Sequence, residues 1–243
     1  MKALVHRILY RTLPLEGYLR VVSRMFFLWQ RLGIGRRDAA TEYVYHLPQL
    51  VRPGDVCIDI GANLGYYART ISRLAGPEGR VYAVEPVAPI RKVLSRNLRR
   101  CINTEILPYA LGTESRPVVM GNDSARETGY FGTGQNFVND SGRPAGTVFT
   151  ATMRRGSELF AALGRLDFIK CDIEGYEVVV MREMQPLLER FHPTVLIETG
   201  GANRPQIIGL FTAMGYAGYT LKEGREVPLT PDTTKDIIFR HAH

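Results

Sequence analysis

From Pro53 onward, short runs of apolar residues alternate with longer amphipathic ones, and this rhythm restricts the chain more than any other feature. Repeated strand–helix units of this kind fold as a mostly parallel α/β sheet with helices on both faces. The pattern predicts strands at Val56–Ile60, Arg80–Glu85, Glu105–Tyr109, Asp167–Cys171, Thr194–Glu198, Tyr216–Leu221 and Asp236–His241. Helices are expected over Leu64–Ala75, Pro89–Arg100, Ser157–Leu163, Glu177–Phe191 and Arg204–Met214. Segments such as Phe168-Ile169-Lys170-Cys171 are nearly continuous in apolar residues, as strands covered on both faces must be. Lys222 to Lys235 is too polar for a packed crossover helix, so the last of these strands is expected to run antiparallel to its neighbour.

Two stretches stand outside the alternation. Residues 1–50 read as a helical extension, with Pro14 between a short helix and a longer one and a third helix near Ala39–Leu50. Residues 51–243 read as the sheet-bearing domain, interrupted over residues 112–146 by an irregular insertion rich in Gly, Asn, Asp and Ser, a length that compact domains keep for function. Charge divides along similar lines. The chain has 243 residues with 31 Lys and Arg against 24 Asp and Glu, yet residues 1–37 hold eight of the bases and one of the acids. The remainder is neutral, so no nucleic-acid partner is expected, and peripheral contact with an anionic membrane surface belongs to residues 1–37. No apolar run approaches the roughly 18 residues of a membrane span. The start lacks the pattern of a signal sequence, which makes a cytoplasmic location the expectation, with peripheral membrane contact as its variant. Cys57, Cys101 and Cys171 are widely spaced and point to neither a disulfide framework nor a zinc site.

The chemistry concentrates in three segments. Asp59-Ile60-Gly61-Ala62-Asn63-Leu64-Gly65 follows the first strand directly. Gly61 and Gly65 let the backbone turn sharply and approach a ligand, and the following helix offers unpaired N–H donors. The spacing is GxNxG rather than the GxGxxG of dinucleotide sites, and Asp59 suits a cationic ligand better than a pyrophosphate. Glu85 ends the second strand, where a carboxylate in a doubly wound fold accepts ribose hydroxyls. Asp172 and Glu174 lie just past the fourth strand, at the sheet edge where such folds bind ligands, and Gly175 permits the turn that aims both into the crevice. Glu177 reads as a favourable charge at a helix start, and Lys170, on a buried strand, as a side chain that snorkels or pairs with an acid.

In this order the segments resemble the FkbM family of S-adenosylmethionine-dependent methyltransferases. The matching residues are Val51-Arg52-Pro53-Gly54-Asp55, Asp59 through Tyr67, Glu85-Pro86, Ala110-Leu111-Gly112, Asp167 through Glu177 and Pro193 through Glu198. One departure is visible, since Thr152-Met153-Arg154 stands where such proteins usually carry Thr-Leu-Asp. The resemblance implies the class I, Rossmann-like methyltransferase fold of seven strands with an antiparallel last strand. It implies S-adenosylmethionine as cofactor, held by Asp59, Gly61, Ala62, Asn63, Gly65, Tyr66, Glu85 and Pro86, with Ala110 and Leu111 near its adenine. It also implies methylation of a hydroxyl on a glycan or small natural product. An alcohol needs help to lose its proton; Asp172 is the first choice for that task, with Glu174 and Glu198 next. Asp172 and Glu198 are also the pair that a divalent ion such as Mg²⁺ would take, since hard cations prefer oxygen ligands. Two alternatives compete. A nucleic-acid methyltransferase is disfavoured because Asp172-Ile173-Glu174-Gly175 is not the Asn/Asp-Pro-Pro-aromatic motif that positions a flipped base. A non-catalytic, membrane-peripheral protein that retains the fold is disfavoured by the intact glycine loop and Glu85.

Overall fold

A computed structural model describes residues 2–234 and 236–242. Met1, His243 and Lys235, the end of the polar connection, lie outside that set. The chain opens with α1 (Lys2–Thr12), α2 (Leu15–Arg31) and α3 (Glu42–His46), the last continued by a 3-10 turn at Leu47–Gln49. Pro14 separates the first two because it holds an extended backbone with ψ 152°. Next come β1 (Val56–Ile60), α4 (Ala68–Ala75), β2 (Arg80–Val84), α5 (Ala88–Asn97) and β3 (Thr104–Leu107). The excursion that follows holds β4 (Tyr109–Leu111), β5 (Arg116–Asn122), α6 (Ser124–Thr128), β6 (Phe137–Val138) and β7 (Thr147–Arg154). The chain then resumes with α7 (Gly156–Leu159), β8 (Phe168–Cys171), α8 (Glu177–Glu183), α9 (Gln185–Phe191), β9 (Thr194–Ile197) and α10 (Asn203–Ala213). It closes with β10 (Tyr216–Lys222), β11 (Arg225–Pro228) and β12 (Ile237–His241).

The main sheet runs β3-β2-β1-β8-β9-β12-β10-β11. Neighbours from β3 to β9 are parallel, and β12 is antiparallel to both β9 and β10. The expected class I arrangement is thus present with one correction: the sheet has eight strands, not seven. The additional strand is β11, formed inside the connection that sequence reading left irregular. Glu223 and Gly224, with φ of 51° and 76°, make the two-residue loop joining β10 to β11. Positive φ at both positions matches the right-handed twist of a hairpin.

Side chains of the central strands separate by parity, as the pleat demands. Ile58, Ile60, Ile169, Cys171, Val195, Ile197, Ile237 and Phe239 enter one core with Val180, Met181, Leu188, Ile207 and Phe211 of the helices α8, α9 and α10. Cys57, Val81, Phe168, Leu196 and Ile238 enter another with Tyr43, Leu47, Ile71 and Ala75 of the opposite layer. Asp59 and Lys170 share the parity of this second face, and they are register partners across β1 and β8. Three helices depart from their expected bounds. The helix after β1 begins at Ala68 rather than Leu64, because Asn63 and Gly65 hold positive φ. Glu177–Phe191 divides at Met184, where Pro186 in the first turn of α9 cannot donate to the preceding turn. The helix expected at Ser157–Leu163 is a single turn, α7.

Pro108 ends β3 and sends the chain into a second sheet of order β4-β7-β5-β6. Its inner side packs Val118, Met120, Phe131 and Met153 against Tyr18 and Leu19 of α2 and Ile90 and Val93 of α5. The insertion and the N-terminal helices therefore share one core. Strands β1 and β2 climb away from β8 and β9, so the order reverses between β1 and β8, which fixes the crevice at their carboxyl ends.

Candidate active site

Gly61 lies at that reversal. It has φ 79°, and a Cβ there would sit 2.0 Å from the carbonyl oxygen of Asp172. Only glycine lets the loop after β1 cross the end of β8 this closely. The Gly61 and Ala62 amides donate to Val84 O, and the Asn63 amide donates to Glu85 Oε2 at 3.0 Å. Glu85 Oε1 accepts from the Val87 amide at 2.8 Å, so one carboxylate ties the loop to the end of β2. Burial raises the Glu85 pKa to about 7 against the pull of those two amides.

The resulting crevice is lined by Gly61, Asn63, Glu85, Pro86, Ala110, Leu111, Asp172 and Glu174, eight of the residues singled out by sequence. The buried Asn63 Oδ1 has no hydrogen-bond partner among the described residues and is available to a donor there. Glu174 holds φ 52°, a strained backbone for a residue with a side chain, and burial beside Asp172 and Glu177 pushes its pKa to about 7. Four further candidates lie outside the crevice. Asp59 is fully buried beneath it and neither carboxylate oxygen makes a well-formed hydrogen bond, the Ala68 amide being the backbone donor turned toward it. Burial raises Asp59 to about 6, with Lys170 opposing. Ala62 packs among Ala68, Ala83 and Leu94, and Gly65 packs against Leu94 and Leu98, where a Cβ would be 3.0 Å from Leu94. Tyr66 turns its ring to Phe26, 4.1 Å between centroids, and reaches the crevice only through Thr133.

Glu198 faces a second cavity of about 350 Å³. Asp172 lines both spaces, and Glu198 shares a hydrogen bond with it. Asp236, Thr41, Phe26, Tyr66 and Tyr67 complete the wall. Burial, then the Asp172 and Asp236 carboxylates, push Glu198 to about 8 while Lys170 opposes. Lys170 is buried and places its ammonium 2.9 Å from Asp172 Oδ2 and 4.8 Å from the centre of the Tyr67 ring. Burial by itself would lower the lysine pKa, but Asp172 and Asp59 outweigh it and hold the ammonium above its ordinary value. Lys170 is therefore the acid's partner. Glu177 accepts from the Gly175 amide at 2.9 Å and fixes the turn after β8. Among the described residues no group of three or more His, Cys, Asp and Glu is arranged to hold a metal ion.

Sequence reading missed the insertion's share of the crevice: Met120, Thr133, Gly134, Asn136 and Val138. It also missed Asp236, which β12 carries to the second cavity. A run of Gly and Asn gives no periodicity from which to place a loop over a site. Arg154, the departure from the usual triplet, lays its guanidinium 5.3 Å from the centre of the Tyr109 ring, a crevice residue.

A family model for the FkbM methyltransferase domain matches residues 59–220. Among curated proteins, a protein-L-isoaspartate O-methyltransferase of Aeropyrum pernix is 30% identical over 87 residues, 35% of this chain and 34% of that one. The AMB antimetabolite synthetase AmbE of Pseudomonas aeruginosa is 47% identical over 65 residues, 26% of this chain and 3% of that one. The chain thus spans about a third or less of the length of these relatives. Among solved structures, methyltransferase FkbM from Methylobacillus flagellatus matches with a TM-score of 0.51 at 15% identity, covering 79% of this chain and 49% of that one. That likeness is one of fold.

Proposed function

Because the chain belongs to the FkbM methyltransferase family, we propose that it moves a methyl group from S-adenosylmethionine to a hydroxyl of a glycan or small natural product. The observation that carries this reading is the double exposure of Asp172, which walls the glycine-loop crevice on one side and the Glu198 cavity on the other. Transfer between two ligands requires two spaces that meet at one point, and here they meet at a carboxylate pair able to accept a proton. The names of the Aeropyrum and Pseudomonas relatives, an O-methyltransferase and an antimetabolite synthetase, agree with a hydroxyl acceptor and a natural product. We take residues 51–243 as the methyltransferase domain, with residues 1–50 as its helical extension and 112–146 as its insertion.

The crevice suits the cofactor. Glu85 is placed for the ribose hydroxyls, Ala110 and Leu111 for the adenine, and the unpartnered Asn63 Oδ1 for the amine of the amino-acid tail. Asp59 contributes negative charge from below to a site that must hold a cation. When bound, the sulfonium supplies an electrophilic methyl carbon. The protein's part is to hold the acceptor oxygen in line with that carbon, to keep out water with the insertion, and to take the hydroxyl proton. Glu198, with Asp172 beside it, receives that proton as the new carbon–oxygen bond forms and the sulfur keeps the electron pair of the broken bond. No step is assigned to a metal ion.

Calorimetry tests the cofactor half: one equivalent of S-adenosylmethionine should bind, and Glu85→Ala should weaken binding at least tenfold. Absence of binding to the unaltered protein would refute the proposal. Incubation with labelled cofactor and panels of hydroxylated sugars and natural products tests the acceptor half.

A further inference from the structure

Away from the crevice, a groove of about 670 Å³ runs between α2 and α4 and ends at the turn after α5. Five arginines line it, Arg31, Arg36, Arg69, Arg73 and Arg100, and no aspartate or glutamate does. Elsewhere the molecule pairs its arginines: Arg20 with Glu16, Arg80 with Glu105, Arg165 with Asp167, Arg240 with Glu226. Among the described residues, none of the five groove arginines has a carboxylate within ion-pair distance. Two are nonetheless held in place, Arg69 over the Phe27 ring at 4.6 Å and Arg36 over the Tyr45 ring at 5.5 Å. Stacking fixes the guanidinium plane and leaves its N–H donors outward, an arrangement that receives phosphate. Three of the five, Arg69, Arg73 and Arg100, come from the part of the chain whose net charge is zero, so fold geometry gathers the charge.

The rim decides what kind of phosphate. Leu28, Leu32 and Ile34 are 54%, 64% and 55% exposed beside Arg31 and Arg36, and Ile102, 85% exposed, belongs to the groove wall itself. Arg24, Leu28 and Leu32 recur every fourth position and form one exposed stripe on α2 and its C-terminal turn. Exposed aliphatic side chains add nothing to a nucleic-acid backbone, whereas a lipid surface pairs phosphate with hydrocarbon at just this spacing of depth. No helix of the described residues is long and apolar enough to cross a membrane.

We propose that this groove and its aliphatic rim dock the protein on an anionic phospholipid surface, with headgroup phosphates in the arginine groove and Leu28, Leu32 and Ile34 entering the boundary with the acyl chains. Phe26 lines the Glu198 cavity and Phe27 lines the groove, so docking sets that cavity one side chain from the lipid. The inference does not depend on the methyl-transfer reading.

The test is vesicle flotation of the full chain at physiological salt, with phosphatidylcholine alone and with phosphatidylglycerol added. Binding is expected only to the anionic vesicles. Arg69→Glu/Arg73→Glu/Arg100→Glu should lower the partition coefficient by about a hundredfold or more, since each basic residue near a charged surface contributes about fivefold. Leu32→Ser/Ile34→Ser should lower it by about tenfold or more, and thermal melts of both variants should match the parent because the side chains are exposed and unpaired. Failure to float, equal flotation with neutral vesicles, or an unaffected arginine variant would each overturn the proposal. So would arginine-dependent binding to RNA or duplex DNA at the same salt without binding to vesicles.

Discussion

At Gly61 a single hydrogen atom separates a workable crossing from a collision. Gly54 offers the control: it has a similar φ of 87°, but nothing lies within 4 Å of its missing Cβ. Gly54→Ala should therefore cost only the backbone strain of a left-handed residue, about 1 kcal/mol. Gly61→Ala adds a contact at 2.0 Å with the rigid backbone of Asp172 and should cost about 2–4 kcal/mol in all. Thermal melts of the two variants compare these costs directly, and calorimetry should show cofactor binding lost only in Gly61→Ala. Glu198 governs a different property. A base held at about 8 is mostly protonated at neutral pH, so turnover should rise with pH and level off above about 8. Glu198→Gln should lower kcat by about 10²–10⁴-fold and abolish that rise, while leaving cofactor affinity within twofold. A pH profile unchanged by the substitution would move the base elsewhere, to Asp172.

Among the elements, what was legible in sequence follows from where hydrophobic burial alone dictates structure. The strands β1, β2, β8 and β9 are buried on both faces, and their apolar runs announce both their bounds and the residues at their ends, which is why Gly61, Glu85, Asp172 and Glu174 converge as expected. The loop after β1 was legible as a glycine turn, but the roles of its residues were not: Ala62 and Gly65 face α5 because Asn63 and Gly65 delay the start of α4. β11 was hidden because it is a half-exposed edge strand whose pairing depends on a two-residue turn. The insertion was hidden because its tip is held by polar contacts, such as Asn122 Nδ2 donating to Gly132 O at 2.9 Å, rather than by a repeating apolar face. That tip brings Gly134 over the crevice, with its absent Cβ 3.7 Å from Glu174 Oε1 and 3.9 Å from Asn63 Nδ2. Gly134→Val places two methyl groups in that gap. Calorimetry should show S-adenosylmethionine binding weakened tenfold or more, and the melting temperature should stay within about 2 °C, because the side chain enters the crevice and not the core.

The molecule as a whole concentrates acids whose pKa values burial has raised: Asp59 and Asp236 to about 6, Glu85 and Glu174 to about 7, Glu198 to about 8. They cluster at one edge of the sheet because the carboxyl ends of β1, β2, β8 and β9 and the start of β12 all arrive there, and Lys170 is the buried cation among them. Between about pH 4.5 and 8 the folded chain therefore holds protons on these groups that the unfolded chain has released. Stability falls with rising pH wherever the native state binds more protons, so the contribution is complete below the ordinary carboxylate range and is lost progressively up to about pH 8. Ion pairs oppose this only at the acid end, where Glu226, held below its ordinary pKa by Arg240 and His46, must be protonated. Melting temperature should accordingly decline from pH 6 to pH 8.5, and Glu198→Gln should flatten the upper part of that decline, since the amide cannot ionise. A cationic ligand in the crevice favours the ionised acids, so saturating S-adenosylmethionine should raise the melting temperature more at pH 8 than at pH 6. Differential scanning measurements across that range, with and without the cofactor, check both slopes; a melting temperature that rises with pH in the free protein would show that these carboxylates are not protonated in the fold.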